Sequence, residues 1–317
     1  MRRWMGPLVI LLLSLSFVIP ASTPTRAQME SPPPLDYVPV ADPFKLPDGM
    51  NFGGVSGVAI NSRGHIFVLH RGPSPLMEFD ADGNFIRGLG EGLFDRPHGL
   101  RIDAEDNIWT TDVGGHVVYK FNPDGRIVMV LGVRGRPGEA HEYGHLRLFN
   151  EPNDVAIAKN GDIFVVQGHG KGDPRVVKFD KDGNYIKSWG KKGKEPGDFD
   201  LAHSIVIDAK GLLYIADRNN QRIQVFDADG KYIRESKHPG TPCGLHITPD
   251  QTLWLAHGHV GQVMKLDLDG NVLAVTGKQG KALGQYGEAH YITVSAHDEI
   301  YVSDTLNWRV QKYVRAK

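Results

Sequence analysis

Residues 202–230 read AHSIVIDAKGLLYIADRNNQRIQVFDADG, and the order of patterns in them decides the fold. Apolar residues dominate 203–207, a polar turn follows, and a second apolar run covers 212–215. A third run spans 222–226 and ends on Asp-Ala-Asp-Gly. Short runs rich in Ile, Val, Tyr and Phe, separated by polar turns, predict antiparallel strands rather than helix. The first two runs recur as pairs along the chain: 56–60 with 65–68, 98–102 with 107–110, and 153–157 with 162–165. Beyond 203–207 with 212–215, the pairs continue as 243–247 with 252–255 and 290–294 with 299–302. The opening residues of these six pairs lie 42, 55, 50, 40 and 47 residues apart, a spacing suited to propeller blades.

Third strands are expected at 117–121, 176–179, 222–226 and 263–266, each followed by a turn and a fourth strand such as 185–189. Five repeats carry an Asp/Asn-x-Asp-Gly turn, at 80–83, 122–125, 180–183, 227–230 and 267–270. Its Asp-Gly pair supplies the positive φ of a two-residue hairpin. Four antiparallel strands repeated six times predict an all-β, six-bladed propeller whose blades bury their faces on one another. The sixth repeat ends after its third strand, 310–314, so residues 37–40 are expected to supply the missing fourth strand and close the ring.

Arg2 and Arg3, an apolar run from 8 to 19 and small residues up to Ala27 predict a signal peptide over 1–27. The organisation expected is then 28–50 as an N-terminal segment with the closing strand and 51–317 as the propeller. A cleaved signal implies a secreted or periplasmic protein without stable membrane insertion, and a monomer is expected. Cys243 is the single cysteine, so no intramolecular disulfide can form and stability must come from packing. A formal net charge of -1, without a basic concentration, gives nucleic-acid binding no support.

The stretches Ala216-Asp-Arg-Asn-Asn-Gln-Arg-Ile223 and Ser303-Asp-Thr-Leu-Asn-Trp-Arg-Val310 resemble NHL repeats. Asp217 with Arg222, and Asp304 with Arg309, are expected to brace their turns by ion pairing. In such blades the first strand lines the central channel, so the opening residues converge at one mouth. They are Ser56, His98, Asn153, His203, Cys243 and His290. Histidine thus occupies alternate blades. Three convergent imidazoles with an open fourth position suit a catalytic divalent ion, most naturally zinc, although copper, iron and nickel also accept imidazole. The alternative is three channel histidines satisfied by water and backbone.

Two arginines follow second strands at equivalent positions, Arg71 in blade one and Arg218 in blade four. A guanidinium fork near a metal suits recognition of a substrate carboxylate. For Arg218 a salt bridge with the adjacent Asp217 competes with that role; Arg71 follows His70 and has no acidic neighbour. His141 and His145 fall in a long insertion and read as a solvated loop. His257 and His259 lie after the second strand of blade five, within reach of the same mouth.

Arg71, Arg-Pro-His98-Gly-Leu, Glu-Pro-Asn-Asp-Val155, Ala-His203-Ser-Ile, the blade-four stretch around Arg218 and Ala-His290 together resemble the peptidyl-α-hydroxyglycine α-amidating lyases. The resemblance implies zinc held by His98, His203 and His290, Arg71 assisting catalysis and Arg218 holding substrate. It implies cleavage of a peptide's C-terminal α-hydroxyglycine to an amide and glyoxylate. Three features depart from that family. His169 stands where the family has its catalytic tyrosine, and is the candidate base. Tyr291 stands where it has an acidic calcium ligand, which argues against a structural calcium, although the Leu100 carbonyl position is kept. The family's disulfides are absent. A non-catalytic NHL scaffold for a protein or glycan, and another metal-dependent propeller hydrolase or lactonase, are the competing functions; the lactonases hold calcium with Glu, Asn and Asp, unlike this histidine-rich mouth.

Overall fold

The computed structural model describes Met1 and residues 31–139, 148–170 and 172–316. The signal peptide and the histidines of the long insertion, His141 and His145, lie outside the described residues. Among the described residues the strands form six four-stranded antiparallel sheets, one per repeat, and one short parallel pair, Lys278–Gln279 with Gln285–Tyr286. Blade four shows the plan: Ala202–Ile207, Leu213–Asp217, Arg222–Phe226 and Tyr232–Lys237 pair in sequence order.

Apolar clusters join neighbouring blades. Phe164 and Val166 of blade three pack with Ile205, Ile215 and Phe226 of blade four, and Trp254 of blade five packs with Ile292 and Val302 of blade six. Second strands are buried throughout, as in Ile163–Gln167, because both of their faces meet another blade. Fourth strands such as Tyr185–Trp189 are partly exposed at the rim.

The Asp/Asn-x-Asp-Gly turns differ in detail from the expectation. Asp80 and Asn84 pair around a three-residue loop, with Gly83 N–H donating to the Asp80 carbonyl and Gly83 at φ 79°. A turn closed by a left-handed glycine is the three-residue hairpin. The first aspartate sets it, since Asp80 Oδ1 accepts from the N–H groups of Asp82 and Asn84 at 3.0 and 2.8 Å. Asp180, Asp227 and Asp267 repeat these bonds.

The ring closes as the sequence predicts. Tyr37–Val40 pairs antiparallel with Arg309–Arg315, the last strand of blade six. Tyr37 anchors the closure: it is buried, meets Trp254 edge-on at 6.2 Å and donates its hydroxyl to Asp298 at 2.7 Å. Its neighbour Val38 is exposed. Tyr37→Ala is therefore expected to cost about 3 kcal/mol in urea unfolding, against less than about 0.5 kcal/mol for Val38→Ala. Equal losses at the two positions would mean that the strand is not anchored through Tyr37.

Candidate metal centre and its mouth

His98, His203 and His290 each sit near the start of a first strand, in Pro97–Ile102, Ala202–Ile207 and Ala289–Val294. Their rings meet on the axis, with centroids 4.7 Å apart for His98 with either partner and 4.9 Å for His203 with His290. One nitrogen from each ring lies within 4.8 Å of the others, and all three side chains are buried.

Each Nδ1 meets a backbone carbonyl of the following blade: His98 that of Asn153 at 2.8 Å, His203 that of Cys243 at 3.1 Å, and His290 that of Ser56 at 2.8 Å. A carbonyl only accepts, so Nδ1 carries the proton and Nε2 keeps its lone pair. Burial first, and then mutual repulsion among the imidazoles, hold His98 and His203 well below the ordinary histidine range; burial does the same for His290, where the bond to Ser56 opposes it. Burial thus favours the neutral form in all three. His98 Nε2 is buried without a hydrogen-bond partner, an arrangement that is costly unless an electrophile takes the lone pair. Neutral imidazoles oriented through Nδ1 have the form of metal ligands whose second nitrogen is fixed by an outer hydrogen bond. The donor set fits a divalent ion.

The mouth above the trio is built by loops that aspartates hold in place. Asp112 Oδ1 accepts from the N–H of Arg96 at 2.7 Å, Asp304 Oδ1 from that of Glu288 at 3.2 Å, and Asp217 Oδ1 from that of Asp200 at 2.9 Å. Asp217 and Asp304 also take their expected partners, Arg222 Nε at 2.8 Å and Arg309 Nε at 3.1 Å. In blades one and four alike, the residue after the second strand bonds back to the residue before the first: Arg71 N–H to Gly54 O at 3.0 Å, Arg218 N–H to Leu201 O at 2.8 Å. Arg71 and Arg218 are thus equivalent positions around the ring.

Arg218 does not pair with Asp217. It reaches Glu288 of blade six at 3.3 Å, and also stands 3.3 Å from His203 Nε2 and from His259. His259 therefore belongs to the mouth, whereas His257 is buried away from it, beside His238. Arg71 donates Nε to the Pro97 carbonyl at 3.4 Å; desolvation first, and then the like charge of Arg96, lower its pKa. His169 joins the trio, its ring 4.9 Å from His98 and 5.9 Å from His203, and Arg96 Nη2 lies 3.3 Å from its Nδ1. Burial, then Arg96, Arg218 and Arg71, push its pKa down to about 3. Cys243 offers only its carbonyl, since burial pushes the thiol up to about 12.

Arg96 and Glu288 escaped the sequence pattern, although both sit two residues before an axial histidine. That shared offset, once blades are aligned, is the signal that finds them.

A family described as a 6-bladed beta-propeller matches residues 147–304. The probable peptidyl-alpha-hydroxyglycine alpha-amidating lyase of Caenorhabditis elegans is 37% identical over 203 residues, covering 56% of this chain and 56% of that protein. NHL repeat-containing protein 3 of Mus musculus is 34% identical over 62% of this chain and 60% of its own length. Peptidyl-alpha-hydroxyglycine alpha-amidating lyase 1 of Drosophila melanogaster is 27% identical over 84% of this chain and 58% of its own length. The chain thus spans little more than half of these relatives. Among solved structures, a gluconolactonase from Xanthomonas campestris superposes with a TM-score of 0.64 at 16% identity, covering 90% of this chain and 98% of that one. A streptogramin B lyase gives 0.59 at 17%, covering 87% and 86%. At these identities the likeness is one of fold.

Protein purified without chelators is expected to carry about one divalent transition metal per chain, and His203→Ala to lose it while staying folded. Elemental analysis alongside circular dichroism checks this; wild type without metal would remove the metal centre.

Proposed function

We propose that this NHL-type propeller, related in sequence to amidating lyases, is a metal-dependent lyase that cleaves a C-terminal α-hydroxyglycine, or a similar carbinolamide, to an amide and glyoxylate. The observation that carries the proposal is the trio of buried histidines, each fixed through Nδ1, beneath a mouth ringed by Arg71, Arg96, Arg218 and His169. A divalent ion held by the trio, most naturally zinc, supplies Lewis-acid polarisation of the substrate hydroxyl.

The chain's own groups account for the rest. Arg71, Arg96 and Arg218 face the mouth, where Glu288 pairs with Arg218, so an anion is favoured beside the other two guanidiniums. In our assignment Arg71 assists at the reacting carbon, with Arg96 beside it, and Arg218 holds the substrate carboxylate from the far side. The hydroxyl loses its proton as its oxygen forms the aldehyde carbonyl of glyoxylate. The C–N bond breaks, and the leaving amide nitrogen gains a proton. In the same assignment His169 carries that proton from oxygen to nitrogen, which leaves it unchanged after each turnover.

Because the related stretch covers little more than half of the relatives, substrate and setting belong to the proposal as well. We assign the chain to a secreted or periplasmic setting after signal removal, acting as a monomer on a peptide terminus or a small molecule.

Glyoxylate release from a synthetic hydroxyglycine peptide tests the reaction. Turnover is expected from the metal-loaded protein, with Arg71→Ala lowering kcat/KM by roughly 100-fold and His169→Ala lowering kcat by 10²–10⁴-fold, on the order expected of a general acid–base group. A metal-loaded protein inert toward carbinolamides but active on a lactone would replace the lyase by a hydrolase. Inertness toward both would favour a scaffold, a role in keeping with the relative named only for its NHL repeats.

A further inference from the structure

One residue beyond the opening positions, the first strands carry a second ring: Gly57, Gly99, Asp154, Ser204, Gly244 and Tyr291. Gly99 and Gly244 lie against neighbouring backbone, where a Cβ would stand 2.6 Å from the Asn153 oxygen and 2.4 Å from the His290 oxygen. Into this ring Arg101, from the first strand of blade two, sends its guanidinium. Nε donates to Asp154 Oδ1 at 3.0 Å and Nη2 to Oδ2 at 2.5 Å. Nη2 also reaches Ser204 Oγ at 3.0 Å, and Nη1 the Leu245 carbonyl at 3.0 Å. The guanidinium lies over the Tyr291 ring, 5.3 Å from its centroid. One side chain of blade two therefore touches blades three, four, five and six.

The family that the sequence resembles has an acidic calcium ligand where this chain has Tyr291. The groups present do not fit calcium, which takes six to eight oxygen ligands. Tyr291 offers the face of a ring, and its hydroxyl donates to the Asn153 carbonyl at 3.1 Å. Both Asp154 oxygens are engaged, by Arg101, Ser204 Oγ and the N–H groups of Val155 and Ile205. The Leu245 carbonyl is also taken.

We infer that the Arg101 guanidinium is the structural cation of the propeller axis, clamping the blades beside the position where the resembled family has its acidic calcium ligand. An arginine is charged at every accessible pH and cannot dissociate from the protein, so the clamp needs no ion from the surroundings. Burial opposes its charge, and the Asp154 carboxylate more than reverses that effect. The clamp also positions the metal ligands. Asp154 follows Asn153, whose carbonyl accepts from His98 Nδ1, Thr111 Oγ1 and the Tyr291 hydroxyl. Ser204 follows His203, and Tyr291 follows His290. Arg101 is thus a positioning residue for all three histidines, and with His246 it lines a cavity of about 320 Å³.

Thermal unfolding of the whole protein in calcium-free buffer and with millimolar calcium tests the substitution. Wild type is expected to show the same midpoint in both and no bound calcium by elemental analysis. Arg101→Ala combined with Tyr291→Asp, which removes the guanidinium and restores an acid, is expected to unfold roughly 5–15 °C lower in calcium-free buffer and to regain part of that with calcium. A calcium-dependent midpoint or stoichiometric calcium in wild type would overturn the inference, even if the double variant does not fold. The positioning role is read separately by zinc competition with a chromophoric chelator. Arg101→Met is expected to weaken zinc by about 10–100-fold, with partial recovery in Arg101→Lys; a folded Arg101→Met with unchanged zinc affinity would refute it. None of these measurements uses turnover, so they stand apart from the fate of the lyase proposal.

Discussion

The bond from each axial imidazole to the next blade's carbonyl is the constraint on which the rest of the centre depends. His98, His203 and His290 donate through Nδ1; the backbones of Asn153, Cys243 and Ser56 accept. Donor and acceptor alternate around six positions, so every opening residue takes part, three by side chain and three by main chain. The arrangement settles tautomer, ring orientation and blade spacing together. It also explains why the acceptor positions tolerate residues as different as Ser, Asn and Cys, since only their carbonyls are used in these bonds.

The blades were legible in the sequence because a strand with both faces buried reads as an unbroken apolar run, and the Asp/Asn-x-Asp-Gly turn marks where the third strand ends. Alignment of the runs brought the three histidines together despite separations of dozens of residues. Turn geometry was less legible. Asp-Gly fits two hairpins, and the aspartate that captures two backbone N–H groups decides for the longer one. The Asp–Arg braces held at Asp217 and Asp304, but those aspartates also hold the loop before the first strand, a contact that local sequence does not reveal.

What stayed hidden was pairing through space. Sequence adjacency offers Asp217 as a competing partner for Arg218. In the fold Asp217 is committed to Arg222 and to backbone, and Arg218 turns across the mouth to Glu288 of blade six. Arg101 was hidden for a similar reason: within its strand it reads as an ordinary polar position, and only ring closure places Asp154, Ser204 and Tyr291 around it.

These two arginines divide the axis by charge. Arg101 meets a carboxylate in a bidentate pair and stacks on an aromatic face, so its charge is consumed within the core. At the mouth the balance is different. Glu288 offsets Arg218, while Arg71 and Arg96 oppose one another and together depress His169. Positive charge is therefore left over on one side of the histidine trio, between blades one and two. A chain whose formal net charge is -1 thus gathers Arg71, Arg96 and Arg218 around the histidine trio. An anionic group entering there would relieve repulsion that folding itself left in place, and that relief is available only to a ligand carrying negative charge next to the atom the centre would polarise.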